Sequence, residues 1–496
     1  LKWNLPPGWT AGEIQWPAPK VIRDQTGTIT GNGYDGDLLL PVTLTPPADA
    51  IPGSTALLGA AADWLMCADK CIPGKANVSL FLSVAAAAPA ADATWGPRIA
   101  ATLASLPRAV PGWNLSAARS AKNEITAPRY IVYQRPGTGW DKGPVRTPEQ
   151  AREWVRWIAQ NGAEGLKLGA ERPDLMAALL EEAKKLGLGS TAHLQQTGVA
   201  QMNADEATRL GLGTVTHFYG LFESMYDSAS VQPWPVDYNY NDEQDRFGQV
   251  ARQWSLVTPR GEKWKAFLKR LKDRDVTLDP TMVAYLTGRD MMHHMNADWH
   301  QKYTLPTLWD YYTTNRTNHG SYWYYWTTAD EVAWRNFYRV WMMFLNDYKN
   351  MGGRVTASSD AGFIYNTPGF STIQEMELLQ EAGFHPLEVI RAATFHAAET
   401  LAKPKGKAIE YGAVQEGLLA DLMVVDENPL ANLKVLYASG ALRLNDKTGK
   451  PERVGGVRWT IKDGIVYDAK QLMADVNRMV EAQRKQRPSA DAIRPR

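Results

Sequence analysis

Gly165-Leu166-Lys167-Leu168, Thr191-Ala192-His193-Leu194 and Val215-Thr216-His217-Phe218 are the three stretches whose reading decides the fold. Each is a short apolar run of strand length carrying one chemically active side chain in it or at its end. The active residues stand 26 and 24 positions apart. Helix patterns with clear ends surround these runs. Thr147-Pro148 sets a capping hydroxyl before a proline at the first helical position, and Asn161-Gly162 stops the helix that follows. Trp154, Val155 and Ile158 give it an apolar face. Pro173 opens the next helix and Leu186-Gly187 closes it. Strand-then-helix units of roughly 25 residues call for parallel pairing, hence a (β/α) barrel or a doubly wound sheet. Arg129 to Gln134 reads as an earlier strand of the same sheet. In a parallel barrel, consecutive strands carry such residues side by side at the C-terminal mouth, where barrel enzymes keep their chemistry.

Working outward, the texture changes on both sides of this region. Upstream, Leu38, Leu40, Val42 and Leu44 alternate with other residues, as do Val78, Leu80, Leu82 and Val84. A period of two marks half-buried strands, and Pro46-Pro47 and Pro73-Gly74 punctuate them. A small-residue stretch from Ala85 to Ala91 leads to an abrupt change near Trp113. Downstream, His385 to Leu401 has helical spacing, and Gly417 to Val425 and Ile461 to Tyr467 return to β. The expected domains are 1–112, all-β; 113–403, the barrel; and 404–496, a small β-domain with a C-terminal helix.

Composition narrows the function classes. The 496 residues exceed one ordinary domain, and 44% hydrophobic with 22% charged residues is a globular balance. A net charge of +1 without a basic block gives no electrostatic support for a nucleic-acid partner. No apolar run has the length of a membrane span. The chain opens at Leu1, with neither an initiator methionine nor a signal-peptide pattern. Two cysteines, Cys67 and Cys71, are too few for a disulfide framework. A redox pair stands on one side of their reading, and a structural disulfide or inert thiols stand equally on the other. Tryptophans crowd between Trp299 and Trp341, and Tyr322 to Trp326 reads as an aromatic lid suited to an apolar or peptide-like substrate.

The order Lys167, His193, His217 and then Asp360 in Ser358-Ser359-Asp360-Ala361-Gly362 resembles the metal-dependent amidohydrolase superfamily over residues of about 115–496. Ile390-Arg391-Ala392-Ala393-Thr394 and Ala420-Asp421-Leu422 agree with that resemblance. It implies a (β/α)8 barrel that hydrolyses amide or peptide-like C–N bonds with one or two zinc ions. Lys167, carboxylated on its amine, would bridge the metals, and a desolvated lysine supplies the neutral amine this needs. His193 and His217 would hold the second metal through neutral imidazoles. Asp360 would ligate the first and act as the catalytic acid–base group. Tyr219 is either a substrate hydrogen-bonding group or a packed aromatic.

The chain departs from that family in one respect. The His-x-His pair that ends the family's first barrel strand is missing, since no two of the eight histidines are two apart. About six barrel strands can be placed instead of eight, so the barrel is expected to be incomplete, with exposed edges. His293, His294 and His300 are the available substitutes for the lost ligands.

Residues 1–110 carry a second resemblance. Pro7-Gly8-Trp9, Ile14-Gln15-Trp16-Pro17, Tyr34, Leu39-Leu40-Pro41, Trp64-Leu65-Met66-Cys67 and Cys71-Ile72-Pro73-Gly74 look like the N-terminal domain of the thiol:disulfide interchange protein family. The resemblance implies an immunoglobulin-like fold in the periplasm, or another extracytoplasmic compartment, with Cys67 and Cys71 exchanging electrons with a partner protein. The leading expectation is thus a zinc hydrolase acting on a small-molecule or dipeptide-like substrate. Its rivals are a thiol–disulfide exchange module beside a non-catalytic barrel remnant, and a binding protein that keeps the pocket without the metal.

Overall fold

Thr147 caps its helix as its chemistry dictates. Its hydroxyl accepts from the Gln150 N–H while the Gln150 side chain accepts from the Thr147 N–H, and Pro148 begins the helix Pro148–Gln160. Ala151, Trp154, Val155 and Ile158 form its buried stripe. Pro173–Lys185 follows, with Leu186 as its C-cap. The computed structural model describes all residues except 18, 19, 24–28, 35, 68–70, 88, 89, 106–112, 230, 317, 363 and 487–496. The chain packs as two units, Leu1–Ala118 and Arg119–Arg496. The boundary expected at 112/113 adjoins residues 106–112, which lie outside the described ones.

In the first unit, Thr55–Cys67 and Cys71–Ser83 form a long antiparallel hairpin, and Lys2–Asn4 pairs with the outer side of its first strand. The register sets Ala56 opposite Leu82, Leu58 opposite Leu80, Ala60 opposite Val78 and Cys67 opposite Cys71. The alternation at Val78 to Leu82 is therefore a strand, as its period predicts. The alternation at Leu38 to Leu44 is not: only Leu44–Thr45 joins a ladder, against Thr10–Ala11. Pro41 has no N–H to donate and Pro46-Pro47 closes the segment, so the apolar pattern outlasts the pairing.

In the second unit, six strands make one sheet in sequential order: Tyr133–Gln134, Gly165–Leu168, Gly189–Ala192, Thr214–Thr216, Thr277–Asp279 and Arg354–Val355. All five pairings are parallel. Among the described residues the first and last strands are edges, and the number of strands agrees with the count of six. Leu166, Leu168, Ala192, Val215, Leu278 and Val355 are buried within a continuous core that takes in the helices packed around the sheet. Thr328–Asn350 is the longest of those helices and inserts Trp334, Phe337, Trp341 and Phe344.

Three sequence expectations change in detail. The strand expected over Arg129 to Gln134 shrinks to Tyr133–Gln134, and Arg129 upstream of it forms ion pairs with Asp421 and Asp463. The helix expected over His385 to Leu401 is two helices, Pro386–Ala393 and Phe395–Ala402. They break at Thr394, whose hydroxyl back-bonds to the Ile390 carbonyl at 2.7 Å. The C-terminal β region has Leu422–Val425 paired with Val457–Lys462, which pairs with Ile465–Asp468, and the helix Ala469–Lys485 follows. Among the described residues no helix is long and apolar enough to cross a membrane.

Candidate active site

The strand register assembles the site. Lys167 lies opposite Thr191, Thr191 opposite Thr214, and Thr214 opposite Thr277. Neighbours in register on parallel strands share a face, as do residues two apart on one strand. One face of the sheet therefore carries Lys167, Thr191, His193, Thr214, Thr216, Thr277 and Asp279, a polar set next to the apolar opposite face. Thr191 and Thr216 hydrogen-bond through their hydroxyls at 2.5 Å. The His193 N–H donates to Leu168 C=O, and the His217 N–H donates to Asp279 C=O, so both histidines extend the ladder past its assigned ends.

His217 stands one residue out of phase with that face. Its φ of +67° is left-handed, an uncommon state for a side-chain-bearing residue, and this turn returns the imidazole to the other active groups. The His193 and His217 rings lie edge to face with centroids 4.6 Å apart. Asp360 arrives five residues past the last strand, also at positive φ, +46°. Its Oδ2 is 3.5 Å from His217 Nε2. Tyr219 stacks on His193 at 4.6 Å, and its hydroxyl accepts from the Tyr285 hydroxyl at 3.1 Å. Four residues expected from the sequence, His193, His217, Tyr219 and Asp360, thus form one group. Lys167 shares their sheet face and feels the charges of Asp360 and Asp279.

Burial sets the protonation chemistry. His217 is 2% exposed, and desolvation holds its imidazole well below the usual range. His193 is pushed down to about 3, first by desolvation and then by the positive charges of Lys167, Arg135, His319 and Arg246. Desolvation also lowers the Lys167 ammonium, partly opposed by Asp360 and Asp279. Loss of hydration raises the Asp360 carboxyl, with Lys167 pulling against it, although 43% of the side chain remains open to solvent. The outcome is two neutral imidazoles, a lysine inclined to give up its proton and a carboxyl inclined to take one.

These donor types suit zinc. Among the described residues, however, no three His, Cys, Asp or Glu side chains are gathered at the spacing of a metal cage. What the structure does bring together is the His193–His217 pair, with Asp360 beside His217. His294 and His300 do not join it. The His294 ring pairs with the Thr287 hydroxyl, and the His300 ring with the Thr304 hydroxyl and the His294 carbonyl. The aromatic segment read as a lid is packed inward. Tyr322 stacks on Phe247 at 4.0 Å, and Trp326 Nε1 donates to Gly288 C=O, while Tyr325 stays exposed.

Several neighbours escaped sequence reasoning. Asp279 accepts from the hydroxyls of Thr356 at 2.7 Å and Ser358 at 2.6 Å, which ties the Asp360 loop to the adjacent strand. Glu243, paired with Arg246 and with the His319 ring, raises His319 and brings its charge to bear on Asp360. Thr281 touches His217 Nδ1. Thr277-Leu278-Asp279-Pro280-Thr281 repeats the pattern of an apolar strand followed by a polar end, and that was the available signal. A separate apolar cavity of about 760 Å³ is lined by Phe370, Ile373, Met376, Ile390, Met423 and Met473 among others, and it shares no lining residue with this site.

Comparison with known proteins addresses the two parts differently. Residues 1–83 match the family described as thiol:disulfide interchange protein DsbD, N-terminal. That is the family its tryptophans and cysteines resemble. The solved structures similar to the chain include a prolidase complexed with N-methylphosphonate-L-proline, at 17% identity and TM-score 0.42, covering 72% of this chain and 73% of that one. They also include bottromycin amidohydrolase, at 18% identity and TM-score 0.47, covering 75% and 72%. No curated protein matches the chain.

Proposed function

We propose that the second unit is a metal-dependent hydrolase of amide or peptide-like C–N bonds, built on an incomplete (β/α)8 barrel. The observation that carries this reading is the gathering of His193, His217 and Asp360 just past the C-terminal ends of their strands, on the sheet face that bears Lys167. His193 and His217 would hold zinc, because burial keeps both rings neutral and leaves nitrogen lone pairs free for ligation. Zinc, when bound, would supply a hydroxide near neutral pH and polarise the scissile carbonyl. Asp360, with its raised carboxyl, would take a proton from water and return it to the leaving amine. Lys167 would react as a neutral amine with carbon dioxide, forming a carbamate and releasing a proton, which adds a second anionic ligand. Tyr219, stacked on His193, would flank the bound substrate.

The test is zinc content per chain by mass spectrometry after dialysis against metal-free buffer, followed by an amide-substrate screen. Bound zinc that is lost in His193→Ala, with hydrolysis abolished in Asp360→Asn, is the expected result. A zinc-free, inactive wild type overturns the reading.

A second reading, confined to the first unit, is thiol–disulfide exchange by Cys67 and Cys71 with a partner protein outside the cytoplasm. It is favoured by the match over residues 1–83 and by the backbone register that sets the two cysteines opposite each other. Alkylation of both thiols only after reduction is expected. Two thiols that alkylate fully under oxidising conditions would overturn it.

A further inference from the structure

The His217 side chain is held at both ends, and the way it is held fixes which nitrogen carries the proton. Nδ1 meets the Thr281 hydroxyl in the interior of the site. A threonine hydroxyl has one proton to give and two lone pairs to receive with. Thr281 directs its proton to the Pro280 carbonyl at 2.7 Å. With its proton directed there, Thr281 is an acceptor towards His217, and Nδ1 is the donor. A neutral imidazole has one N–H, so Nε2 carries a lone pair.

We propose that Thr281 is the positioning residue of this site, locking His217 as the Nδ1–H tautomer so that Nε2 presents a lone pair beside Asp360. This goes one step further than the hydrolase reading and rests on it for its purpose, though not for its geometry. A lone pair on Nε2 and a carboxylate oxygen 3.5 Å away repel each other unless a cation or a proton lies between them. The two groups thus define a point where positive charge is wanted. The opposite tautomer would donate from Nε2 to Asp360 and would require Thr281 to abandon Pro280. At 3.5 Å that Nε2–Asp360 contact is too long for a good hydrogen bond.

The backbone supports the same assignment. Thr281 is a β-branched residue at φ +48°, a conformation such residues rarely adopt. It persists because the following turn is fixed from outside. The Tyr338 hydroxyl donates to the Met282 carbonyl, and the Val283 N–H donates to the buried Glu375 carboxyl at 2.7 Å. A strained residue held by its surroundings next to a candidate ligand is the pattern expected where position matters for chemistry.

The experiment is long-range nitrogen–proton NMR on the metal-free full chain with ¹⁵N-labelled histidine, the His217 signals being assigned by their loss in His217→Gln. The wild type should show His217 protonated on Nδ1 alone. Thr281→Val keeps the β-branched shape and removes the acceptor, so His217 should lose that preference. Thr281→Ser keeps the hydroxyl and should retain it. Zinc competition is the second readout: Thr281→Val should weaken affinity roughly 10–100-fold and Thr281→Ser far less. Protonation on Nε2 in the wild type, or no change in Thr281→Val, overturns the proposal. Should Thr281→Val fail to fold, the wild-type and Thr281→Ser spectra still decide. A wild type that shows the Nδ1–H tautomer but binds no zinc leaves the Thr281 assignment standing and removes the hydrolase reading.

Discussion

The N-terminal hairpin and the parallel sheet are both built from apolar strand residues, and they end in opposite situations. In the hairpin, Ala56, Leu58 and Ala60 are buried, yet their cross-strand partners on the same face, Val78, Leu80 and Leu82, are exposed, and Phe81 on the other face is 68% exposed. In the parallel sheet, Leu166, Ala192 and Val215 have no exposure at all. The difference comes from what lies over the strands. Helices such as Pro148–Gln160 and Pro173–Lys185 join the same core as the parallel strands, whereas among the described residues the second hairpin strand is an edge with exposed apolar side chains. A strand pattern states which residues are able to be buried, and only a covering layer buries them.

The largest test of that comparison removes a core anchor. Trp341 is fully buried against Phe218 and Tyr285. Trp341→Ala should destabilise the second unit by about 3–5 kcal/mol, read as a lowered denaturation midpoint. Hydrogen exchange in Thr55–Cys67 should be unchanged if the two units are energetically separate. Close behind in size, Asp360→Asn should lower hydrolysis about 10²–10⁴-fold at unaltered stability, while Cys67→Ser should leave hydrolysis as it is. Equal loss in both variants would refute the division of labour between the units.

A subtler effect concerns pH. Burial pushes the Glu375 carboxyl up to about 8, against the hydrogen bonds it receives from the backbone N–H groups of Val283 and Met282. An acid raised on folding binds its proton more tightly in the native state. Its contribution to stability is therefore full below its unfolded value of 4.5 and is lost as pH rises through about 8. Glu375→Gln should flatten that decline, giving a smaller difference in denaturation midpoint between about pH 5 and about pH 9. An unchanged pH profile would show that Glu375 is not protonated in the native state. The smallest effect belongs to the hairpin. Leu80→Thr, at an exposed strand position, should change stability by no more than about 0.5 kcal/mol. A loss above about 2 kcal/mol would mean that this face is covered in solution.

Much of the site was legible because its signals are local. Lys167, His193 and His217 each sit in or beside an apolar strand run, and the spacing of βα units places such residues on one sheet edge. Asp279 and Thr281 carried the same strand-end pattern but Asp-Pro-Thr also reads as a turn, and their partners lie far along the chain: Thr356 and Ser358 for one, His217 for the other. The break at Thr394 escaped for a related reason. The helical period runs straight through it, while the second helix is pinned by His396 to the Val355 carbonyl.

The sequence by itself determined the alternation of strands and helices, their caps, and which polar side chains stand at the strand ends, since all of these follow from residues within a turn or two of each other. Tertiary structure decided the rest. It set which alternating strand was covered, the direction in which burial moved each titrating group, and the meeting of His217 with Thr281. Those properties depend on desolvation and on hydrogen-bond partners brought from distant parts of the chain, and no local pattern encodes them.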